Sequence, residues 1–108
     1  MRYPSLLATT AVLTLAAPLA AETPISAKRT TPVSTSSVNN GAADSIRITS
    51  TGSVELLSGT AVTIDSNHGV TNEGKIVVTN AAGGVGISAN AGTSGEIVVA
   101  SSGVITVD

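Results

Sequence analysis

Gly74-Lys75-Ile76 lies between two tripeptides of the same form, Gly52-Ser53-Val54 and Gly95-Glu96-Ile97, and each opens a short apolar run. The three glycines stand 22 and 21 residues apart. A period in the low twenties is the length of one coil of a parallel β-solenoid, where a coil hides its apolar side chains only by stacking on another. The spacing predicts that Val54, Ile76 and Ile97 lie one above another in successive coils. It also predicts a repetitive extended surface in place of a compact catalytic pocket.

Working outward, short runs alternate with Gly, Asn and Ser: Ile46-Arg47-Ile48, Val54 to Leu57, Val62-Thr63-Ile64, Lys75 to Val78, Val85-Gly86-Ile87, Glu96 to Val99 and Val104 to Val107. Strands this short fit several faces per coil better than the longer hairpin strands of a sandwich, although a meander of hairpins is the structural alternative. Gly59 to Val62 resembles Gly83 to Ile87 at an offset near one coil. Asn67 and Asn90 close the strands before them, and Asn72 and Asn80 suit other corners, because Asn tolerates left-handed backbone angles and bonds its neighbours. The fold expected is all-β, a parallel solenoid of coils about 21–25 residues long over residues 44–108.

Composition agrees with stacked strands. Apolar residues make up 42% of the 108, yet there is no Phe, Trp or Cys, and the one Tyr is Tyr3. A Val/Ile core without aromatics suits pleated strands in register, since β-branched side chains are stiff at χ1 and pack well on a pleated surface. The absence of cysteine removes disulfide staples, which a solenoid does not need. A formal charge of −2 steers no particular partner. Basic patches with interleaved aromatics are missing, which argues against nucleic acid.

Met1 to Ala21 reads as a secretory signal. Arg2 supplies the positive start, Leu6 to Leu19 is apolar apart from threonines and Pro18, and small residues follow at Ala20 and Ala21. Such a run is shorter than the roughly 20 residues that span a bilayer as a helix. Cleavage is placed between Ala21 and Glu22. Residues 22–43 then shift to Thr, Ser, Pro and Asn, with Pro24 and Pro32, and read as a disordered linker or loosely attached tail in which Lys28-Arg29 is simply solvated.

Thr71-Asn72-Glu73-Gly74-Lys75-Ile76, followed by Gly84-Val85-Gly86-Ile87-Ser88-Ala89-Asn90 and Gly95-Glu96-Ile97, resembles the cadence of bacterial autotransporter passenger domains. The leader and the Thr/Pro-rich tail are similar to the start of such proteins. The resemblance implies a non-enzymatic exported surface protein, a β-helical stalk or adhesin segment at the cell surface or outer membrane, or extracellular. A passenger start cut before its barrel would stay periplasmic. The implied partners are a host surface or extracellular polymer, with membrane contact only through a C-terminal β-barrel that this sequence lacks. An open coil end exposes ladder edges, so the expectation is continuation of the solenoid, marginal stability alone, or self-association through that end. Two other classes stand beside this reading. One is the start of a secreted β-helical polysaccharide-active enzyme whose active site lies beyond Asp108, and the other is a self-assembling secreted β protein.

Catalytic chemistry finds little footing. Asp65, Ser66 and His68 contain the residue types of a nucleophilic triad but share one turn, whereas triad members usually come from separate elements. Glu73 and Glu96 stand about one coil apart and suggest stacking on one face, yet no basic or aromatic sugar platform accompanies them. Gly83-Gly84-Val85-Gly86-Ile87 begins like a calcium-binding nonapeptide and like a dinucleotide loop. The calcium motif wants Asp where Ser88 stands, and a phosphate loop must open a helix. No catalytic residue, metal ligand or cofactor is assigned.

Overall fold

A computed structural model describes residues 22–79 and 82–108; the Met1–Ala21 leader, with its cleavage residue Ala21, and the corner residue Asn80 lie outside them. The strands are β1 (Glu22–Ile25), β2 (Lys28–Arg29), β3 (Val33–Ser34), β4 (Ser45–Ile48), β5 (Ser53–Leu56), β6 (Thr60–Ile64), β7 (Val70–Asn72), β8 (Lys75–Val78), β9 (Val85–Ala89), β10 (Ile97–Val99) and β11 (Val104–Val107). They form three sheets, in the orders β1-β4-β7-β10, β2-β5-β8-β11 and β3-β6-β9. Every pairing between these strands is parallel. The chain visits the first, second and third sheet in turn, so it is a three-sided β-solenoid of three coils and two further strands. A hairpin meander would have paired neighbouring strands antiparallel, and it is overturned.

The interior is a set of aliphatic columns. Val54 lies over Ile76 and Leu56 over Val78 in the second sheet, Ile46 over Val70 in the first, and Val62 over Ile87 in the third. Ile46, Ile48, Val54, Val62, Ile64, Ile76 and Val78 are completely buried. Alternate residues of a strand point to opposite faces, so the inner set of each coil lands on the inner set of the next. Burying each such side chain stabilises by about 1.5–3 kcal/mol.

Corners explain the repeated glycines. At Gly74 a Cβ would overlap the carbonyls of Gly52 and Thr49 in the coil below, and at Gly103 it would overlap that of Asn72. Gly52, Gly74 and Gly103 therefore form one column leading into the second sheet. Gly95 belongs elsewhere: its Cβ would overlap the His68 carbonyl, at the corner leading into the first sheet. Both corners bring backbone against backbone, so the same residue marks both.

That shared constraint corrects one expectation. Ile97 pairs with Val70 in the first sheet, and it is Ile105 that lies over Ile76. The turn of chain from Gly74 to Gly103 is longer at each of its three corners than the turn from Gly52 to Gly74. Six residues separate β8 from β9 where three separate β5 from β6; seven separate β9 from β10 against five for β6 to β7; four separate β10 from β11 against two for β7 to β8. Gly103 thus follows Gly74 by 29 residues, while Gly74 follows Gly52 by 22. The interval to Gly95 resembled a coil only because it crosses from one corner to another.

The segment 22–43 also departs from expectation. It is not a loose linker but supplies β1, β2 and β3, the first coil. Few apolar residues suffice, because Ile25 and Val33 occupy inner positions over Ile48 and Val62. Pro24 is tolerated because β1 is the edge of its sheet, where a missing N–H breaks no outer ladder. An excursion follows in which Asn39 and Ala42 bond each other across Asn40 (φ 52°) and Gly41 (φ 91°), the geometry of a tight Asn-Gly turn. Val38 in this excursion packs against the core.

Two substitutions check the register. Ile76→Ala should cost about 2–5 kcal/mol in chemical denaturation, as expected for a filled column. Ile97→Ala, at a half-exposed position, should cost about 1 kcal/mol or less, and equal losses would contradict the column assignment. Asn72 tests the corner. It is fully buried, accepts from Gly74 N at 3.0 Å and donates to the Val104 carbonyl at 3.0 Å. Asn72→Ala leaves both groups without these partners and should cost about 1–3 kcal/mol by the same measurement.

Candidate functional surface

The chemistry of this molecule lies on its outer faces and corners. On the first sheet, Arg47 stands in register between Pro24 and Thr71. Its guanidinium donates from Nε to Glu73 Oε1 at 3.2 Å and from Nη2 to Glu73 Oε2 at 2.7 Å, and Nη1 lies 3.5 Å from Glu22 Oε1. The hydrogen bonds and charge of Glu73, then the charge of Glu22, raise the Arg47 pKa above its ordinary value. This forked pair is open to solvent, so it orders the face more than it stabilises the fold. On the second sheet, Lys28 Nζ lies 3.9 Å from Glu55 Oε1, and Ser53 donates to Glu55 Oε2 at 2.7 Å.

Corner polar groups tie successive coils together. The Asp65 carboxylate accepts from Ser36 N at 2.9 Å, from Ser36 Oγ at 2.8 Å and from Thr35 Oγ1 at 3.4 Å. Thr35 is fully buried, and its hydroxyl oxygen accepts from Asp65 N and Ser66 Oγ. Bonding to Ser36, first through its side chain and then through its backbone, holds the Asp65 carboxyl below the ordinary aspartate range. Asp44 also joins coils, accepting from Thr23 Oγ1 at 2.8 Å and from Ser45 N at 2.8 Å where the chain enters β4.

Among the described residues, shallow hollows interrupt the faces. One, of about 300 Å³, lies beside the first sheet and is lined by Glu22, Ser45, Asn67, Thr71, Ser94 and Glu96 among others. Its lining carries hydroxyl, amide and carboxylate groups. Another, of about 410 Å³, is bounded by Lys28, Thr30, Glu55, Leu57 and Thr79, with Leu57 79% exposed.

The residues singled out from sequence fall as follows. Asp65 and Ser66 are engaged with Thr35 and Ser36 of the preceding coil, while the carbonyl of His68 is the one a Cβ at Gly95 would strike. Glu73 and Glu96 do not stack: Glu73 follows β7 at one end of the first sheet, and Glu96 precedes β10 at the other. Asn67 and Asn90 share the corner between third and first sheets without forming a ladder, since Asn67 Oδ1 accepts from Ser94 N and Asn90 O accepts from Thr93. Gly83 to Ile87 leads into strand β9 and not into a helix. Asn72 gains weight beyond a generic corner, and Thr71-Asn72-Glu73-Gly74 carried the signal, because an Asn two residues before the turning N–H is the pattern of an Asx-turn. Among the described residues, no three or more His, Cys, Asp or Glu side chains gather to hold a metal ion, and no helix is long and apolar enough to cross a membrane.

No protein-family model matches this chain, and neither curated proteins nor solved structures show a match to it. A reading of function therefore rests on the surface itself.

The Asp65 corner yields a pH prediction. A carboxyl whose pKa is lower folded than unfolded adds stability above its unfolded pKa, and that stability fades as pH falls through the folded value. Asp65→Asn should therefore be less stable than the parent chain near neutrality, with the gap closing below about pH 4. Urea midpoints measured from pH 3 to pH 7 read this directly, and a constant gap would deny the carboxylate its role.

Proposed function

We propose that this chain is a non-enzymatic exported surface protein, a passenger-type β-helical stalk or adhesin segment of the autotransporter kind. One observation carries the proposal: the fold buries aliphatic columns with a few corner polar groups and turns toward solvent three faces of parallel strands. Solenoids of this shape bind through extended repeated faces instead of pockets. The outward positions fit that use, with Arg47 and Thr71 side by side on the first sheet and Thr63 beside Ser88 on the third. The apolar start of the sequence, with Arg2 before it and small residues at its end, supports export. Glu22 and the residues after it supply the described coils, so cleavage after Ala21 would leave those coils whole.

The partner class that suits such faces is a host surface or an extracellular polymer, met along a row of hydroxyl, amide and charged groups. The place is the cell surface or outer membrane, the medium, or the periplasm when the passenger is cut short.

Expression in a Gram-negative host, followed by fractionation and N-terminal sequencing, tests the reading. The expected result is a chain outside the inner membrane whose first residue is Glu22 or its neighbour. An intact Met1 in the cytosolic fraction would overturn it.

A further inference from the structure

The peptide between Asn40 and Gly41 carries latent chemistry of its own. An asparagine side chain can be attacked by the backbone nitrogen of the next residue, which closes a five-membered succinimide ring and releases ammonia. Glycine in that next place favours the reaction, because no Cβ crowds the nitrogen and its backbone angles are the least restricted. The sequence has six asparagines, Asn39, Asn40, Asn67, Asn72, Asn80 and Asn90, and Asn40 alone is followed by glycine. Both Asn40 and Gly41 are exposed at the tip of the excursion between β3 and β4, within reach of water and base.

The folded turn withholds the nucleophile. Asn40 has φ 52°. A non-glycine residue at such a φ sits in the left-handed well with ψ of about 47°, and that ψ turns the next nitrogen away from the residue's own Cβ. Ring closure needs the opposite arrangement, with Gly41 N swung round to the Asn40 side chain. The turn is fastened against that rotation: Gly41 N donates to the Ser37 carbonyl at 2.9 Å, and Asn39 and Ala42 exchange bonds of 3.0 and 2.9 Å. The bond to Ser37 also holds the proton that must leave Gly41 N before it attacks. Beneath the turn, Val38 packs against the core and Asp44 N donates to the Thr35 carbonyl at 2.9 Å, so the excursion does not open without disturbing the first coil.

We propose that Asn40 is a self-modification site gated by folding: chains that stay unfolded convert it, and chains that have folded keep it. Gly41 N, having lost its proton to solvent base, bonds to Asn40 Cγ, and the carboxamide nitrogen takes a proton from solvent and leaves as ammonia. Water then opens the ring at one of its two carbonyls. The net change is asparagine plus water to ammonia plus either aspartate or isoaspartate, whose main chain runs through Cβ. The two products differ in what the fold accepts. Aspartate suits a two-residue Asp-Gly turn. Isoaspartate lengthens that turn by one backbone atom, so Asn39 and Ala42 no longer meet in register. Conversion therefore marks an unfolded chain and keeps it from closing the excursion. This goes beyond the surface role proposed above and stands or falls separately from export.

Peptide mapping of the full chain held in mildly alkaline buffer, with and without urea, provides the test, with enzymatic methylation of isoaspartyl groups as the specific readout. The expected result is conversion of Asn40 at least tenfold faster in urea, with the other asparagines largely intact in both samples. Equal rates in the two samples overturn the proposal, as does conversion in urea spread evenly over the asparagines. Asn40→Gly should fold and show no isoaspartate in this peptide, and isoaspartate persisting there would put the reaction elsewhere and overturn the assignment. After removal of urea, isoaspartyl chains should unfold at a lower urea midpoint than the parent chain, whereas Asn40→Asp should match the parent. Isoaspartyl chains that regain the parent midpoint, or an Asn40→Asp chain weakened as much as they are, would overturn the account of the lengthened turn.

Discussion

A single coil of this protein has no inside. Its strands are two to five residues long, and their backbone donors and acceptors and inner side chains are satisfied only by the coil above or below. That dependence governs which residues the chain can use. Adjacent strands stand about 4.8 Å apart, so each inner side chain sits directly on its equivalent, and flat stacking favours residues whose branching fills the space at Cβ. Valine and isoleucine meet that demand, and Phe and Trp are absent from the whole sequence.

Corners impose the second constraint. Where the chain turns from one sheet to the next, backbone lies against the backbone of a neighbouring coil, and only glycine fits at Gly74 and Gly95. Where a turn is too tight for its own N–H and carbonyl groups to pair, Asn72 does so from within the core. Corners also absorb length. Closing a slightly longer surface loop costs little entropy, so the turn from Gly74 to Gly103 gains residues at its corners without disturbing the columns of Val78 and Val107 or Val62 and Ile87. Register is strict, and period is not.

This distinction decides what the sequence could reveal. The column of Val54 with Ile76 was legible because the chain between them crosses only ordinary corners, and that of Val62 with Ile87 because the one expanded corner between them is bracketed by similar glycine-led runs. Ile97 was misplaced because Gly-x-Ile records a steric condition shared by two corners, and a local tripeptide does not say which. The first coil was hidden for another reason. Composition averages over a window, and a coil needing only Ile25, Val33 and a buried Thr35 looks like a polar linker when its neighbours are Thr, Ser and Pro. At the candidate site, the contacts of Asp65 are with residues 29 and 30 positions earlier, a separation fixed by coil length and invisible to any motif. The proposed stacking of Glu73 on Glu96 failed on the same point, because a spacing near one coil puts two residues in register only when no corner between them is expanded.

The fold therefore constrains the inner columns and the corner glycines closely, and leaves the outward positions free. Arg47, Thr71 and Val98 occupy successive outward places on one face, yet each has a different chemistry, and none is required by the core beneath it. Such independence lets a solenoid change what it touches without changing how it folds. Any contact along the faces depends on outward side chains such as Arg47 and Thr71 that the core does not choose.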